Sequence, residues 1–167
     1  MASKGNQQLI ENTIQGLPTD AMVVIVKTEW NAHIIDRLEE GCIKVLKEHG
    51  IAHRTLVVPG AVEIPFAINV YAKSNNKANA FVALACVIKG DTPHFDYVCQ
   101  SITQGITMLN IQLNEPVIYG VLTVNEEQQA IERIGGKHGH KGEEAGLTAL
   151  KMIALQNEIY PLDKLPF

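Results

Sequence analysis

Three short, unbroken apolar runs do most to limit what this chain can fold into. They are AMVVIV at 21–26, AFVALACVI at 80–88 and PVIYGVLTV at 116–124, and a fourth strand ends at Val58. A strand that is apolar at every position is typical of a parallel sheet whose two faces are both covered by helices. Between the runs, apolar residues recur with the spacing of an α-helix. The predicted helices span residues 34–49, 61–73, 94–114, 126–134 and 143–158.

This alternation predicts the α/β class, with a three-layer αβα sandwich around a four-stranded parallel sheet. Gly50 is expected to end the first helix, and Asn125 is expected to cap the fourth. The segment GKHGHKG at 136–142 is interpreted as a glycine-rich link. Residues 1–20 are polar and are interpreted as an arm that docks on a neighbouring subunit, whereas residues 21–167 are expected to form a single domain.

The charge balance excludes several classes of function. The chain of 167 residues has 14 Lys and Arg against 18 Asp and Glu, a formal net charge of −4, whereas sequence-independent nucleic-acid binding needs a basic face. No apolar run reaches the roughly 18 residues of a membrane span, and the N-terminus lacks the apolar segment of a signal peptide. We therefore expect a cytoplasmic protein without nucleic-acid or membrane partners. The charged fraction of only 19% favours a surface partly covered by other subunits.

The three cysteines, Cys42, Cys86 and Cys99, lie in apolar stretches and form no Cys-x-x-Cys pair. Either all three are small buried residues of a protein in a reducing compartment, or one of them is a catalytic thiol. Their apolar setting favours the first interpretation.

In a parallel sheet, ligands bind beyond the carboxyl ends of the strands, near the point where the strand order reverses. Trp30, the only tryptophan, is either a stacking platform for a planar ligand or a packing residue. Gly60 lets a ligand approach the backbone, and Glu63 either binds that ligand or only stabilises a helix start. The four segments that this rule selects are Lys27–Asn31, Pro59–Glu63, Lys89–His94 and Thr123–Asn125.

The third of these segments has the features of an anion site next to a proton carrier. Gly90, Asp91 and Thr92 lead from a buried strand into a long helix, whose first N–H groups are able to bind an anion. Pro93 fits the first helical turn. His94 then places an imidazole, the usual proton carrier near neutral pH, beside the anion. The alternative is a helix-start histidine that points to solvent.

Cationic residues follow the fourth strand. Arg133 suits bidentate binding of an oxyanion, and the glycine-rich link adds Lys137 and Lys141. The His-Gly-His sequence of the link has no acidic or cysteine partner at ligand spacing, so no metal site is predicted. Loops of the nucleoside triphosphate and dinucleotide type are absent from the sequence. The residues alone therefore predict a parallel α/β domain with an anion site and a general acid–base histidine.

Five stretches, taken in order and spacing, resemble the 6,7-dimethyl-8-ribityllumazine synthase family. The resemblance runs from Met22 to Ala154 and implies a flavodoxin-like fold whose N-terminal arm adds a strand to a neighbouring subunit. The stretches are WN at 30–31, VPGAVEIP at 58–65, VIKGDTPHFDYV at 87–98, GVLTVNEEQQAIER at 120–133 and KHGHKGEEA at 137–145.

Enzymes of this family condense 5-amino-6-(D-ribitylamino)uracil with 3,4-dihydroxy-2-butanone 4-phosphate in the penultimate step of riboflavin biosynthesis, and they need no metal or organic cofactor. The resemblance implies that His94 and Arg133 are catalytic, the first by transferring protons and the second by binding phosphate. It also implies that Trp30 stacks on the pyrimidine and that Tyr119 comes from a neighbouring subunit. The implied phosphate loop is Gly90, Asp91 and Thr92. The implied substrate-binding residues are Trp30, Asn31, Gly60, Ala61, Val62, Glu63, Val87, Ile88, Lys89, Tyr119 and Lys141.

The resemblance further implies a homo-oligomer, a pentamer with its sites between subunits. Because the short glycine-rich link resembles that of shell-forming members, we also expect an icosahedral 60-subunit shell, with riboflavin synthase as a further implied partner. Three residues depart from the family pattern: Lys89 replaces an arginine, Glu29 precedes the tryptophan, and Val62 stands where an aromatic residue is common. None of them removes a catalytic element.

The alternative function is that of a non-catalytic paralogue that binds riboflavin or a lumazine, or forms a cage. The presence of His94, Arg133 and the phosphate loop favours the enzyme, because a flavin binder has no use for a site that eliminates phosphate.

Overall fold

The apolar runs form one parallel sheet, as the sequence predicts. In the computed structural model, which describes residues 14–160, the four strands stand in the spatial order β2-β1-β3-β4. All three strand pairings are parallel. The strands are β1 (Met22–Thr28), β2 (Ala52–Val58), β3 (Ala80–Ile88) and β4 (Val117–Val124).

Helices cover both faces of this sheet, which confirms the predicted three-layer sandwich. The chain moves one way along the sheet from β1 to β2 and the other way from β2 to β3 and β4, so right-handed connections place α1 opposite α2 and α3. The last helix, α5, packs beside α1. The remaining elements are α1 (Ala32–Glu48), a 3₁₀ turn (Ala61–Glu63), α2 (Ile64–Ala72), α3 (His94–Gln112), α4 (Glu127–Ile131), β5 (Ile134–Gly136), β6 (Gly139–His140) and α5 (Lys141–Ile159).

Side chains of the central strands alternate between two apolar layers. Val23 and Ile25 of β1 pack in the layer with α1 and α5, and Val24 and Val26 pack in the layer with α2 and α3. All four are fully buried, and burial of each such side chain contributes about 1.5–3 kcal/mol. Burial on both faces is the reason that the strands read as continuous apolar runs.

Helices α1 and α5 approach each other closely because the contact contains positions without a side chain. A methyl group at Gly142 would lie 1.9 Å from the carbonyl oxygen of Leu38, and one at Gly146 would lie 3.0 Å from that of Cys42. Backbone therefore packs directly on backbone along this contact, which we call the α1–α5 seam.

The ends of two helices test the predicted boundaries. Gly50 ends α1 as predicted, with a left-handed φ of 68°. The prediction that Asn125 caps the fourth helix is wrong, because the cap position is Glu126 and no side chain accepts a hydrogen bond there. The helix begins one residue later than expected, and the Asn125 N–H instead donates to the side chain of Gln129 at 3.0 Å. Helix α4 is also shorter than predicted, since it ends at Ile131.

The glycine-rich link forms an antiparallel hairpin, which the sequence analysis did not predict. Its strands β5 and β6 place Ile134 opposite His140. Gly135 and Gly139 adopt φ values of 107° and 77°, which glycine reaches without steric cost. The tight hairpin lets α5 begin at Lys141 rather than at residue 143.

The arm expected over residues 1–20 lies partly outside the described residues. Residues 14–20 form no helix or strand, but Ile14 and Leu17 already pack against the layer that contains α1 and α5. Asp20 forms an ion pair with Lys77. The addition of a strand to a neighbour falls on residues that are not described and stays a prediction. Between residues 14 and 160, no helix is both long enough and apolar enough to cross a bilayer.

Candidate active site

Four loops meet at the carboxyl edge of the sheet, and the strand order reverses between β1 and β3. Backbone hydrogen bonds hold these loops side by side. The Glu29 N–H donates to the Val58 carbonyl, and the Lys89 N–H donates to the Val124 carbonyl, both at 2.9 Å. The loops after β1 and β2 are therefore adjacent, and so are the loops after β3 and β4.

An exposed aromatic ring, a carboxylate and bare backbone converge at the first pair of loops. Trp30 is 73% exposed in the chain, so it is not a core packing residue. A methyl group at Gly60 would lie 3.0 Å from Oε2 of Glu63 and 3.9 Å from Cδ1 of Trp30. Ala61 and Val62 precede Glu63 in the 3₁₀ turn, and Val62 faces solvent. We call the three converging residues the Trp30–Gly60–Glu63 cluster.

The glycine in this cluster is explained by the space that it leaves. Gly60 has φ −144° and ψ 179°, an extended conformation that any residue adopts. Its missing side chain instead keeps an opening between the indole and the carboxylate. An amphipathic ligand, with a flat ring and hydroxyl groups, fits such an arrangement, because the ring stacks and the carboxylate accepts hydrogen bonds.

Asn31 connects this cluster to the next strand. It adopts a left-handed φ of 58° at the start of α1, and its Nδ2 donates to the Cys86 carbonyl of β3 at 2.9 Å. This bond fixes the position of Trp30 relative to the end of β3. No sequence pattern indicates this partner, which lies 55 residues away along the chain. Lys27, in contrast, lies outside the site, because its ammonium pairs with Asp36 and Glu39 of α1 at 2.8 and 2.5 Å.

The end of β3 leads into an open loop. Val87 and Ile88 are half-buried, whereas residues 89–94 are exposed. Helix α3 begins at His94, as predicted, and no side chain caps this end. Pro93 is the cap residue and lies one position before the first turn in which it was expected. The exposed loop and the helix start are thus accessible to an anion, and His94 stands at the same end of α3.

The two cations predicted after β4 are held together by the hairpin. The Lys141 N–H donates to the Arg133 carbonyl at 2.8 Å. The Arg133 guanidinium donates from Nη1 to the Gln129 carbonyl at 2.7 Å, so the arginine side chain extends back along α4. The ammonium of Lys141 donates to both carboxylate oxygens of Glu144, at 2.8 and 2.7 Å.

Tyr119 lies away from these loops, on the edge strand β4. It pairs with Ala83, five residues before the end of β3 at Ile88, which at about 3.3 Å per residue is roughly 16 Å from the strand ends. Its hydroxyl bonds to Oγ1 of Thr103 at 3.1 Å. Burial raises the pKa of Tyr119, although the bond to Thr103 works in the opposite direction. The structure does not bring Tyr119 into the loop cluster of its own chain.

The cysteines do not contribute a reactive thiol to the site. Cys42 and Cys86 are buried and Cys99 is half-buried. Burial raises the pKa of Cys42 to about 12 and that of Cys86 to about 11, and it also raises the pKa of Cys99. A thiol with a raised pKa is a poor nucleophile near neutral pH. In the described part of the chain, no group of three or more His, Cys, Asp or Glu side chains is arranged to hold a metal ion.

Comparison with known proteins finds one family throughout. A family model described as 6,7-dimethyl-8-ribityllumazine synthase matches residues 20–157. A protein of that name from Porphyromonas gingivalis is 47% identical over 140 residues, which cover 82% of this chain and 86% of the relative. One from Bacteroides fragilis is 48% identical over 132 residues, covering 77% and 92%. One from Parabacteroides distasonis is 41% identical over 152 residues, covering 88% and 94%.

Proposed function

The chain belongs to the 6,7-dimethyl-8-ribityllumazine synthase family, and from this membership we propose how its residues divide the work of that reaction. It is a transferase of riboflavin biosynthesis that acts in the penultimate step. The enzyme condenses 5-amino-6-(D-ribitylamino)uracil with 3,4-dihydroxy-2-butanone 4-phosphate. The primary amine attacks the ketone to form an imine with loss of water, phosphate leaves, and ring closure releases a second water.

The observation that carries the residue assignments is the Trp30–Gly60–Glu63 cluster beside the loop that opens α3. The indole of Trp30 offers a face for the pyrimidine. The Glu63 carboxylate, with the backbone around Gly60, Ala61 and Val62, accepts hydrogen bonds from the ribityl hydroxyls. Asn31 acts here mainly through its bond to β3, which sets the distance from the indole to the next strand.

The strand β3 supplies the other wall of the pyrimidine subsite. Val87 and Ile88 are half-buried at the end of the strand, and Lys89 follows them in the open. Backbone groups at a strand end are directional donors and acceptors, so they suit the edge of a heterocycle. Lys89 adds a cation at the mouth of this subsite.

We assign the phosphate of the second substrate to the loop of Gly90, Asp91 and Thr92 together with Arg133. The loop is exposed and leads to the uncapped start of α3, where N–H groups favour an anion. Arg133 contributes a fixed positive charge with several donors, and Lys141 stands next to it on the hairpin.

His94 is assigned to the proton transfers. It is exposed at the first residue of α3, beside the loop that would hold the phosphate. Imine formation and elimination of phosphate both move protons, and a histidine in reach contributes typically about 10² to 10⁴ in rate. The remaining acceleration comes from holding two substrates side by side.

Tyr119 requires a second subunit if it is to reach a substrate, because it lies far from the loops of its own chain. Large apolar side chains that remain exposed on one chain support an assembly. These two observations support a homo-oligomer. From the resemblance to the family and to the short link of its shell-forming members, we further propose that the oligomer is a pentamer that builds icosahedral shells and associates with riboflavin synthase. Free cysteines favour a reducing compartment, the cytoplasm. Exposed apolar residues on β2, α2, α3 and α5 include Val57, Phe66, Val70, Tyr97, Met108, Ile111, Met152, Leu155 and Ile159.

The reaction is tested by mixing the purified protein with both substrates and following the absorbance of the lumazine product. We expect turnover well above the uncatalysed rate, and a lower kcat for His94→Ala. Product formation at the uncatalysed rate would refute the enzyme and leave the non-catalytic lumazine binder, which riboflavin titration would detect.

The assembly is tested by light scattering in solution. The mass should be a multiple of five chains, and Phe66→Glu, which places a charge on the exposed face of α2, should reduce it. Asn75→Glu, in the exposed loop after α2, carries the same charge change away from these apolar side chains and should leave the mass unchanged. A monomeric wild-type protein would contradict both the assembly and the role of Tyr119.

A further inference from the structure

The hairpin that joins Arg133 to Lys141 is anchored by a side chain that the reaction itself does not use. His140 ends β6, directly before Lys141, and lies opposite the buried Ile134. Its imidazole fills a notch in α1. A methyl group at Gly41 would lie 2.2 Å from Cε1 of the ring, 2.5 Å from Nδ1 and 2.8 Å from Nε2.

The same ring also closes the start of α5. Nδ1 of His140 accepts a hydrogen bond from the Glu143 N–H at 3.4 Å, which caps the helix that Lys141 opens. Accepting this bond requires Nδ1 to be unprotonated. Burial is the main cause that lowers the pKa of His140, and the positive charges of Arg37 and Lys44 on α1 lower it further against the opposing effect of Glu143. The lowered pKa favours the neutral ring that this bond requires.

Two constraints thus meet at one residue, one that fixes the hairpin against α1 and one that fixes the beginning of α5. Arg133 and Lys141, at the two ends of the hairpin, are also joined by a backbone hydrogen bond of 2.8 Å. A rotation of the hairpin would therefore move both cations together. A displacement of a binding group by about 1 Å is enough to cost up to about a hundredfold in rate.

We infer that His140 is a positioning residue, which holds Arg133 and Lys141 at the separation and orientation that the phosphate requires by locking the hairpin into the Gly41 notch. This inference rests on the proposed assignment of Arg133 to phosphate. It makes His140 and Gly41 a matched pair, because a side chain at position 41 and an imidazole at position 140 compete for the same space.

The experiment measures the dissociation constant of inorganic phosphate by calorimetry and the KM of each substrate. His140→Ala and Gly41→Ala should each weaken phosphate binding about tenfold and raise the KM of the phosphorylated ketone, while the KM of the pyrimidine stays unchanged. The double variant should be no worse than His140→Ala alone, because the new methyl occupies the space that the ring leaves. His140→Asn, whose Oδ1 still accepts a hydrogen bond at the helix start, should recover most of the phosphate affinity.

Gly146→Ala is the matched control. It crowds the α1–α5 seam, with a methyl group 3.0 Å from the Cys42 carbonyl oxygen and 3.2 Å from Cβ of Val45, and it does not touch His140. It should lower stability without changing phosphate affinity. Equal losses of phosphate affinity in Gly146→Ala and His140→Ala would overturn the inference, as would losses that multiply in the double variant. A wild-type protein that binds phosphate but forms no lumazine would remove the proposed reaction and leave the positioning role to be judged by the same variants.

Discussion

The substitution Gly60→Ala separates the need for a ligand opening from the need for a flexible backbone. The backbone at this position is extended, so alanine fits it without strain. The new methyl group would stand 3.0 Å from Oε2 of Glu63 and 3.9 Å from Cδ1 of Trp30. The first contact is too short by a few tenths of an ångström, and the atom that must give way is the end of a mobile side chain. We therefore expect the free energy of unfolding to change by no more than about 0.5 kcal/mol.

The effect on the pyrimidine substrate should be much larger. Under the proposed assignment of Glu63, the methyl group would occupy the opening through which the ribityl chain reaches the carboxylate and would push the carboxylate from its place. Loss of one hydrogen bond to a charged group costs about 1.5–3 kcal/mol, which is about 10- to 150-fold in affinity. Steady-state kinetics with each substrate varied in turn should show this increase in the KM of the pyrimidine, and the KM of the phosphorylated ketone should stay the same.

The matched control for this substitution is Gly90→Ala. A methyl group there meets nothing within 4 Å, and position 90 lies in the loop assigned to phosphate. It should leave the KM of the pyrimidine unchanged. A normal KM of the pyrimidine in Gly60→Ala, with unchanged stability, would show that no ligand approaches the cluster and that the assignment of Glu63 is mistaken.

Three further changes test other parts of the structure. Arg133→Ala should raise the KM of the phosphorylated ketone by about 10- to 150-fold, which is the cost of losing a hydrogen bond to a charged group. His94→Ala should raise this KM far less. Equal effects of the two substitutions in steady-state kinetics would argue against the assignment of Arg133 to phosphate. Gly142→Ala should lower the free energy of unfolding in urea by about 1–3 kcal/mol, because its methyl group would lie 1.9 Å from the Leu38 carbonyl oxygen. An alanine substitution at an exposed position of the same helix should not lower the free energy of unfolding in this way. Burial raises the pKa of the Cys42 thiol to about 12, so this cysteine should carry almost no thiolate at pH 8. It should resist alkylation by iodoacetamide until urea unfolds the chain. Detection of alkylated Cys42 in the native protein by mass spectrometry would contradict its buried position.

The parts of the fold that depend on local pattern were predictable from the sequence. The run at 80–88 matches β3 residue for residue, and the helices lie where the 3.6-residue spacing predicts them. Because the central strands are buried on both faces, no polar residue interrupts their apolar runs, and these strands were therefore the easiest elements to predict. The hairpin β5–β6 was missed because five residues of regular structure carry too little pattern, and glycines signal a turn without saying which.

The location of the candidate site was predictable from the sequence, but the geometry of its residues was not. The rule of the strand ends selected the loops that contain Trp30, Gly60 and Glu63, but the approach of these three depends on the packing of β1 beside β2. The rule selects segments and not single side chains: Lys27 lies in one of them, but it pairs with carboxylates of α1 because of the face of the sheet to which it points. The bond from Asn31 to the Cys86 carbonyl and the contact of His140 with Gly41 join residues far apart in sequence. Contacts between such distant residues produce no periodic pattern in the sequence.

The α1–α5 seam has a consequence for how the chain is made. Helix α1 is synthesised well before α5. The residues of α1 at this seam, Leu38, Cys42 and Val45, have to wait for a helix that starts only at Lys141. At roughly 5–20 residues per second, this side of α1 stays without its partner helix for several seconds during synthesis. A nascent chain stalled before α5 therefore leaves this side of α1 exposed. We expect a chain that ends before α5 to be prone to aggregation and to depend on a chaperone for its solubility.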